Sequence, residues 1–487
     1  MSDKVSIRCL ESGVPGLDAV LGGGLPEFSF NLIFGPPGSG KTTLAHQIMF
    51  SLATKQRSAL FFSVLGEPPL KMFRYQQQFK FFDLAKINDS IRFINLNDDI
   101  STGNLEQVLA RITHEVESAS PGLVFVDSFR SLMFEALHQD GSTLNLQQFV
   151  QRLGVHLSSW EATTFLVGEY LSDAEHNPIF SIADGLLSLS QVTCRNSMVR
   201  QMQVLKMRGQ ETRPGAQTFR ISSAGIEVYP PAIVLDDMQL TRETKLQRST
   251  VRVTMGVPKL DAMLGGALPG GYSLLVAGPS GSGKTILATA FLEEGVRKEE
   301  PGVLVAFEQT PSQSLTHTID DLVRAGKVGL INTRSLDLSI DEIVQRLIDT
   351  IHELKATRVV IDSLSGFELA VAPNFRDDWR ESLFRMVAVL AGIGVTVLMT
   401  SELEDRYDDL RFSPYGSAFL TDAIIVQRYV EIESRLKRVM AVVKVRGSHH
   451  SNELREYEIT DAGIVIGDPV PHYQGILSGH PTLMRAE

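Results

Sequence analysis

One stretch of the sequence occurs twice, 243 residues apart, and this repeat limits what the chain can fold into. Residues 11–42 and 254–285 align without a gap and are identical at 19 of 32 positions. Solenoid repeats are only roughly 20–50 residues long, so a period of this size is that of a whole domain. A chain of 487 residues also exceeds one ordinary core. We therefore predict two tandem domains, residues 1–240 and 241–487, with a polar linker at about 230–250.

Each copy ends in a phosphate-binding pattern, G-x-x-x-x-G-K-[ST], at residues 35–42 and 278–285. Such a loop surrounds nucleotide phosphates with backbone N–H groups; its lysine contacts the β- and γ-phosphates, and its threonine hydroxyl ligates Mg²⁺. The sequence thus predicts that both copies bind ATP or GTP with Mg²⁺. The residues expected to contact the nucleotide here are Gly35, Gly38, Ser39, Gly40, Lys41, Thr42 and Thr43, and Gly278, Ser280, Gly281, Ser282, Gly283, Lys284, Thr285 and Ile286.

The pattern of apolar residues predicts an α/β fold in each copy. Short apolar runs alternate with helical stretches of 10–15 residues, which indicates a mainly parallel central sheet flanked by helices. In the first copy the predicted strands are 28–34, 59–65, 91–95, 123–127 and 163–168, and the predicted helices are 41–54, 70–82, 105–119 and about 146–160. Three late strands, 185–189, 198–207 and 217–221, predict an antiparallel extension at one edge. The second copy repeats this order, again with three late strands.

Acidic residues follow the predicted strands at matching places in both copies. Asp127 and Asp362 close apolar runs, where a carboxylate can hold Mg²⁺ beside the phosphate loop, although an Asp there can also simply cap the next helix. Glu67 and Glu308 come just after the second strand, where a carboxylate can activate a water or hydroxyl for attack on the γ-phosphorus. An exposed loop glutamate is the alternative interpretation of these two residues.

A basic pair also recurs late in each copy. Lys206-Met207-Arg208 and Lys444-Val445-Arg446 alternate along predicted strands, which places Lys and Arg on one face. A solvated strand face explains one such pair equally well. Its repetition favours a phosphate-directed role, as for an arginine supplied in trans by a neighbouring subunit.

Composition excludes several classes of protein. The net charge is −4 before residue 246 and −7 after it, −11 in total, which argues against nucleic acid as a partner. With two cysteines, no apolar signal segment and no long uncharged apolar run, the chain is expected to be cytoplasmic and not bound to a membrane. A nucleic-acid motor or recombinase remains the alternative function because it shares the same ATPase core.

Together these features resemble the KaiC family, double-domain ring ATPases of the RecA superfamily. The resemblance rests on the GVPGLDAVLGGGLP lead-in, both phosphate loops, the glutamates, KMRG and KVRG, and the stretch from TDAIIVQRYVEI to ILSGHPT. It implies two RecA-like domains and a homohexamer with ATP between subunits, acting in signalling or timing. The first domain would hydrolyse ATP slowly, and the second would phosphorylate itself. The resemblance also implies that the neighbour's nucleotide meets Lys206, Met207, Arg208, Lys444, Val445, Arg446, Ser448 and His450, and that Glu308 lies near the metal.

The sequence departs from the clock members of that family in several places. Gly66 replaces the first of two glutamates before Glu67, and Gln309 replaces the second after Glu308. The clock protein's adjacent Ser and Thr phosphosites fall on Ala418 and Phe419, which have no hydroxyl, so Ser417 and Thr421 are the candidate substitutes. The chain stops soon after ILSGHPT, so we expect no binding of KaiA, whereas a KaiB-like or other signalling protein remains a candidate partner.

Overall fold

A computed structural model divides the chain into two compact units, residues 1–231 and 232–487. It describes residues 7–63, 69–97, 105–128, 161–169, 178–194, 197–231, 251–307, 317–332, 339–371, 379–403, 421–432 and 434–470, and a few isolated positions between and after them. Within this part of the chain, no helix has both the length and the apolar character needed to cross a bilayer.

The first unit has eleven strands among its described residues, nine in one large sheet and two in a small separate sheet. Its strands are β1 (Cys9–Leu10), β2 (Leu25–Pro26), β3 (Phe30–Phe34), β4 (Ala59–Ser63), β5 (Ile91–Asn95), β6 (Leu123–Asp127), β7 (Thr163–Gly168), β8 (Gly185–Cys194), β9 (Ser197–Met207), β10 (Gln217–Ser222) and β11 (Gly225–Tyr229). Its helices are α1 (Leu17–Leu21), α2 (Lys41–Leu52), α3 (Pro69–Gln76), α4 (Leu105–Ala119) and α5 (Pro178–Ile182). The order in the large sheet is β11-β10-β9-β8-β3-β7-β6-β4-β5.

The second unit repeats this plan. Its strands are β12 (Arg252–Val253), β13 (Leu268–Pro269), β14 (Ser273–Gly278), β15 (Gly302–Ala306), β16 (Val328–Asn332), β17 (Arg358–Asp362), β18 (Thr396–Glu402), β19 (Ala423–Ile432), β20 (Arg435–Val445), β21 (Arg455–Thr460), β22 (Gly463–Pro469), β23 (Tyr473–Gln474) and β24 (Thr482–Leu483). Its helices are α6 (Pro258–Met263), α7 (Lys284–Arg297), α8 (His317–Arg324), α9 (Ile340–Leu354), α10 (Leu364–Ala370) and α11 (Trp379–Ile393). The large sheet runs β16-β15-β17-β18-β14-β19-β20-β21-β22.

The predicted fold class is confirmed in both units. In the first, β5, β4, β6, β7, β3 and β8 pair in parallel, and β9 to β11 continue the sheet as antiparallel strands. The central strand β3 is buried along its whole length, as expected for a parallel strand covered by helices on both faces.

Several details differ from the sequence-based prediction. Each large sheet has four late strands instead of three, because a tight turn after β10 and after β21 sends the chain back as β11 and β22. Helix α3 ends at Gln76, not at residue 82, because Phe81 and Phe82 turn inward to pack against Phe50. The short helices α1, α5, α6 and α10 and the small two-stranded sheets were not predicted.

The repeated lead-in has a structural role. Strands β1 and β2 pair across it, and the Asp18 carboxylate accepts the Ser12 N–H at 2.9 Å; Asp261 accepts the Met255 N–H at 2.8 Å in the second copy. At Gly22, where φ is 83°, an added Cβ would lie 1.9 Å from the Glu211 carbonyl oxygen. The lead-in therefore fixes how the chain enters the central strand, which explains its repetition without any chemical role.

A buried guanidinium joins several elements of the second unit. Arg358, at the start of β17, is 1% exposed; its Nε and Nη2 donate to Glu300 at 2.9 and 2.6 Å. Its Nη1 donates to the carbonyl oxygens of Thr254 and Phe291, each at 2.8 Å. An added Cβ on Gly295 would lie 2.5 Å from the Arg358 Cδ, so this glycine makes room for the arginine. The side chain thus ties the lead-in, α7 and β17 together.

We predict that Arg358→Met lowers the free energy of unfolding of the second unit by about 3 kcal/mol, because it leaves buried acceptors without a donor. Urea unfolding followed by Trp379 fluorescence, in a Trp160→Phe background, measures this change. Arg324→Met is the control, since the Arg324–Asp321 pair is exposed and contributes less than about 1 kcal/mol. Equal effects of the two variants would contradict the assigned role of Arg358.

The first unit buries a histidine against aromatic rings. His46 on α2 is fully buried against the rings of Phe61 and Phe93, at 4.7 and 6.2 Å between centroids. Neither ring nitrogen has a partner of normal geometry among the described residues. Burial lowers the pKa of His46 from 6.5 to about 3, and the nearby Gln76 side chain offsets only part of this. The imidazole therefore stays neutral in the folded protein.

This depressed pKa predicts a pH-dependent stability. Below pH 6.5 the His46 imidazole is protonated in the unfolded chain but stays neutral in the folded protein. The free energy of unfolding therefore falls as the pH falls toward 3. Between pH 7 and pH 5, wild type should lose about 2 kcal/mol more than His46→Met. Urea titration with Trp160 fluorescence in a Trp379→Phe background reads the first unit. His114→Gln, at an exposed position, should keep the wild-type slope; an unchanged slope in His46→Met would refute the prediction.

Candidate functional site

The two phosphate loops have the same backbone conformation at the carboxyl end of the central strands. In the first, Gly38 and Gly40 adopt φ of 75° and 102°, and helix α2 begins at Lys41. In the second, Gly281 and Gly283 adopt 75° and 96°, and α7 begins at Lys284. Only glycine adopts such angles readily. The first N–H groups of each helix lack intrahelical acceptors and, with the helix dipole, favour an anion.

The loop lysines are held by backbone carbonyl groups of their own loops. The Lys41 ammonium is 7% exposed and donates to the Pro36 carbonyl at 2.8 Å. Lys284 donates to Gly278 and Pro279 at 2.9 and 2.8 Å. Burial lowers the pKa of both lysines, and nearby carboxylates oppose this shift. A phosphate group placed over the loop would add a further anionic partner for these ammonium groups.

Each loop threonine contacts the aspartate predicted to hold the metal. Thr42 Oγ1 donates to Asp127 Oδ2 at 2.7 Å, and Thr285 Oγ1 donates to Asp362 Oδ2 at 2.8 Å. Burial raises the pKa of Asp127 to about 6, although the Thr42 hydroxyl and Lys41 favour its ionised form. In the second unit the Thr400 hydroxyl also donates to Asp362; the position paired with Asp127 holds Val167, which cannot.

This hydroxyl–carboxylate pair fits Mg²⁺. The ion prefers oxygen ligands and usually takes only one or two from the protein, with phosphate oxygens and waters completing its shell. Within the described residues, no group of three or more His, Cys, Asp or Glu side chains could hold a metal by itself. Thr42 with Asp127, and Thr285 with Asp362, would therefore contact Mg²⁺ in company with a bound nucleotide.

Sequence reasoning missed one carboxylate in each site. Glu169 follows β7, and its Oε1 lies 4.0 Å from the Lys41 Nζ. Glu402 ends β18 beside Gly278, and its charge opposes the lowering of the Lys284 pKa by burial. The signal was present, because both glutamates occupy the same position after the same strand in the two copies. Each loop lysine thus faces two carboxylates, the aspartate and this glutamate.

The repeated basic pairs lie at the opposite end of the parallel strands from the phosphate loops. The start of β8 pairs with the end of β9, Gly185 opposite Met207, so Lys206 and Arg208 lie by the amino ends of the parallel strands. Arg208 pairs with Asp184 at 3.1 Å and Arg446 with Asp422 at 3.4 Å. Met207 and Val445 are buried, whereas both arginines are exposed. Ser448 and His450 follow the same edge, Ser448 accepting from Arg252 at 3.3 Å.

The remaining predicted residues lie outside the described part of the chain, except Thr421. Glu67, Glu308 and Ser417 lie outside the described residues, as do Ala418 and Phe419. Thr421 is described and fully buried, and its carbonyl oxygen accepts from Lys444 at 2.6 Å. Phosphorylation of Thr421 would therefore require this segment to open first.

Comparisons with known proteins match both halves of the chain to one family. The family model described as "ATPase: KaiC" matches residues 10–233 and again residues 253–470. The circadian clock oscillator protein KaiC of Picosynechococcus is 27% identical over 99% of this chain and 94% of its own length. That of Synechococcus elongatus is 26% identical over 100% and 94%, and the circadian clock protein KaiC3 of Synechocystis is 26% identical over 98% and 95%.

We predict that Glu169→Gln strengthens nucleotide binding at the first loop. The carboxylate 4.0 Å from Lys41 competes with phosphate for the ammonium and repels the triphosphate. Removing its charge should lower Kd about fivefold, equivalent to about 1 kcal/mol at surface-like dielectric. Calorimetry with a non-hydrolysable ATP analogue in a Lys284→Met background measures this site. Glu161→Gln, at an exposed position before β7, is the control; weaker binding in Glu169→Gln would contradict the prediction.

Proposed function

Because the chain belongs to the KaiC family of ATPases, we propose that it is a slow Mg·ATPase whose sites are completed by a neighbouring copy of itself. The observation that carries this proposal is that the phosphate loop and the basic pair of each unit lie at opposite ends of its parallel strands. The phosphate loop lies at the carboxyl edge of the sheet, and Lys206 and Arg208, or Lys444 and Arg446, lie at the amino edge.

The basic pairs are too far away to serve the phosphate loop of their own unit. Strand β3 has five residues, so the two edges are about 16 Å apart along it. A basic pair that contacts a nucleotide must therefore do so on another unit, as an arginine supplied in trans does. Head-to-tail packing of identical subunits satisfies this requirement. We propose the homohexamer that the family resemblance implies, with ATP at each subunit interface.

The residues of the loop supply binding and charge stabilisation. Lys41 and Lys284 would contact the β- and γ-phosphates, and Thr42 with Asp127 and Thr285 with Asp362 would hold Mg²⁺, which neutralises charge on the phosphates. Glu67 and Glu308 are proposed to accept a proton from the attacking water as its oxygen bonds to the γ-phosphorus. The bond from the γ-phosphorus to the bridging oxygen then breaks, and ADP leaves with that oxygen.

The finer parts of the proposal concern the second domain and the partners. Auto-phosphorylation on serine or threonine is retained as a second activity, with Ser417 and Thr421 as acceptors. The relatives are named as circadian clock proteins, and we propose that ATP turnover here also signals to a protein partner, such as a KaiB-like protein, in the cytoplasm. The acidic balance of both halves argues against a nucleic-acid motor.

A mixing experiment tests the completion of each site in trans. Lys41→Met inactivates the loop of the first unit and Arg208→Ala inactivates its amino edge, so each variant alone should lose at least tenfold of that unit's ATPase activity. All proteins carry Lys284→Met so that only the first site turns over. In co-assembled mixtures of equal amounts, activity should rise above both variants, because some interfaces join an intact loop to an intact arginine.

Two readouts complete this experiment. Mass spectrometry of the mixtures gives the number of subunits and confirms co-assembly. With γ-labelled ATP, phosphate release without label on the wild-type protein would eliminate the kinase activity while leaving the ATPase proposal intact. Co-assembled mixtures that stay as inactive as the single variants would rule out completion in trans.

A further inference from the structure

The two phosphate loops rest on different supports although their sequences are almost the same. The loops differ only at Pro37 and Ser280 among their eight positions. Any difference in how they hold phosphate must therefore come from the side chains underneath, on the neighbouring strands.

In the second unit the loop is tied to the sheet by hydrogen bonds. The Tyr457 hydroxyl, on β21, donates to the Ser282 carbonyl at 2.5 Å, and Tyr457 is 1% exposed. The Ser282 hydroxyl donates to the Gln427 amide oxygen, on β19, at 3.0 Å. Ser282 and Gln427 are both fully buried. Two side chains, from β21 and β19, thus hold one loop residue by both its carbonyl and its hydroxyl.

In the first unit apolar residues stand at the same positions. Leu186 pairs with Leu32 on β3, and Ile424 pairs with the equivalent Leu275 on β14. Three residues further along these strands, Leu189 therefore corresponds to Gln427. Ile221 and Ile459 make the same contact below Gly40 and Gly283, so Phe219 corresponds to Tyr457. The hydroxyl of Ser39, the counterpart of Ser282, is buried without a hydrogen-bond partner among the described residues. The first loop therefore lacks both ties.

The tie from Tyr457 acts on the peptide group that faces the ligand. A peptide unit is planar, with its C=O and following N–H pointing in opposite directions. Fixing the Ser282 carbonyl toward the sheet therefore aims the Gly283 N–H away from it, toward the phosphate side of the loop. The Gln427 amide nitrogen has no partner within the described part of the chain, which is a cost that leucine would avoid. Its presence is explained if its oxygen positions Ser282.

We propose that Tyr457 and Gln427 are positioning residues that preorganise the second phosphate loop, so that nucleotide binds this loop more tightly than the first. The inference rests on the proposed function, in which both loops bind ATP. A preorganised loop loses less conformational freedom when phosphate binds, and this difference appears directly as affinity.

Titration of single sites tests the proposal. In a Lys41→Met background, which leaves only the second loop, Tyr457→Phe and Gln427→Leu should each raise Kd for a non-hydrolysable ATP analogue about fivefold. Both substitutions insert the residue that the first unit already carries, so both should fold. The reciprocal Phe219→Tyr, in a Lys284→Met background, should lower Kd at the first loop. The new hydroxyl would donate to the Ser39 carbonyl as Tyr457 does to the Ser282 carbonyl.

The controls separate positioning from general stability. Tyr229→Phe removes another buried tyrosine hydroxyl, which donates to Glu227 at 3.0 Å in the first unit, and should leave the second-site Kd unchanged. Thermal unfolding of each variant is measured alongside. A lower melting temperature with an unchanged Kd in both Tyr457→Phe and Gln427→Leu would overturn the inference. Absence of any binding in the Lys41→Met protein would instead overturn the proposed function of the second loop, and the inference with it.

Discussion

A lysine ammonium group, buried in the first unit and half-buried in the second, is the constraint on which each unit depends. Lys41 and Lys284 lie at the start of a helix, under a loop of backbone, where a cation is costly without partners. The structure supplies carbonyl groups from the loop, a glutamate from the strand next to the central one and an aspartate from the strand beyond it. The strand order that places these carboxylates side by side is also the order that makes a parallel sheet covered by helices. The fold and the phosphate site are therefore consequences of one arrangement.

The sequence predicted those parts that depend on local pattern. Each phosphate loop follows a buried strand and starts a helix, and Asp127 and Asp362 reach the loop threonines, because spacing and strand direction decide both. Glu169 and Glu402 were missed because their role depends on which strands are neighbours, and chain order does not show that β7 lies between β3 and β6. The fourth late strand was missed because its turn and its five to seven residues carry little periodicity. Glu67 and Glu308 remain predictions from sequence.

The two units share their strand order and lead-in contacts more closely than they share individual buried side chains. Both sheets have nine strands in corresponding order, and both lead-ins use the same Asp and Gly contacts. Divergence lies around this frame: Arg358 in place of Leu123, Thr400 in place of Val167, Tyr457 in place of Phe219. Each of these second-unit residues adds a buried polar contact where the first unit packs an apolar side chain. Such contacts are directional, so they restrict the second unit to fewer backbone arrangements than apolar packing does.

The position of Arg208 and Arg446 at the edge opposite the loops has an arithmetic consequence. If each active site takes its loop from one subunit and its arginine from the next, as proposed, an open row of n subunits contains only n−1 complete first sites and n−1 complete second sites, because the last loops have no arginine beside them. Closing the row adds the missing sites without adding a subunit. Turnover per subunit would then depend on concentration until closure and become independent of it afterwards, so the opening of a single interface would switch off one first site and one second site.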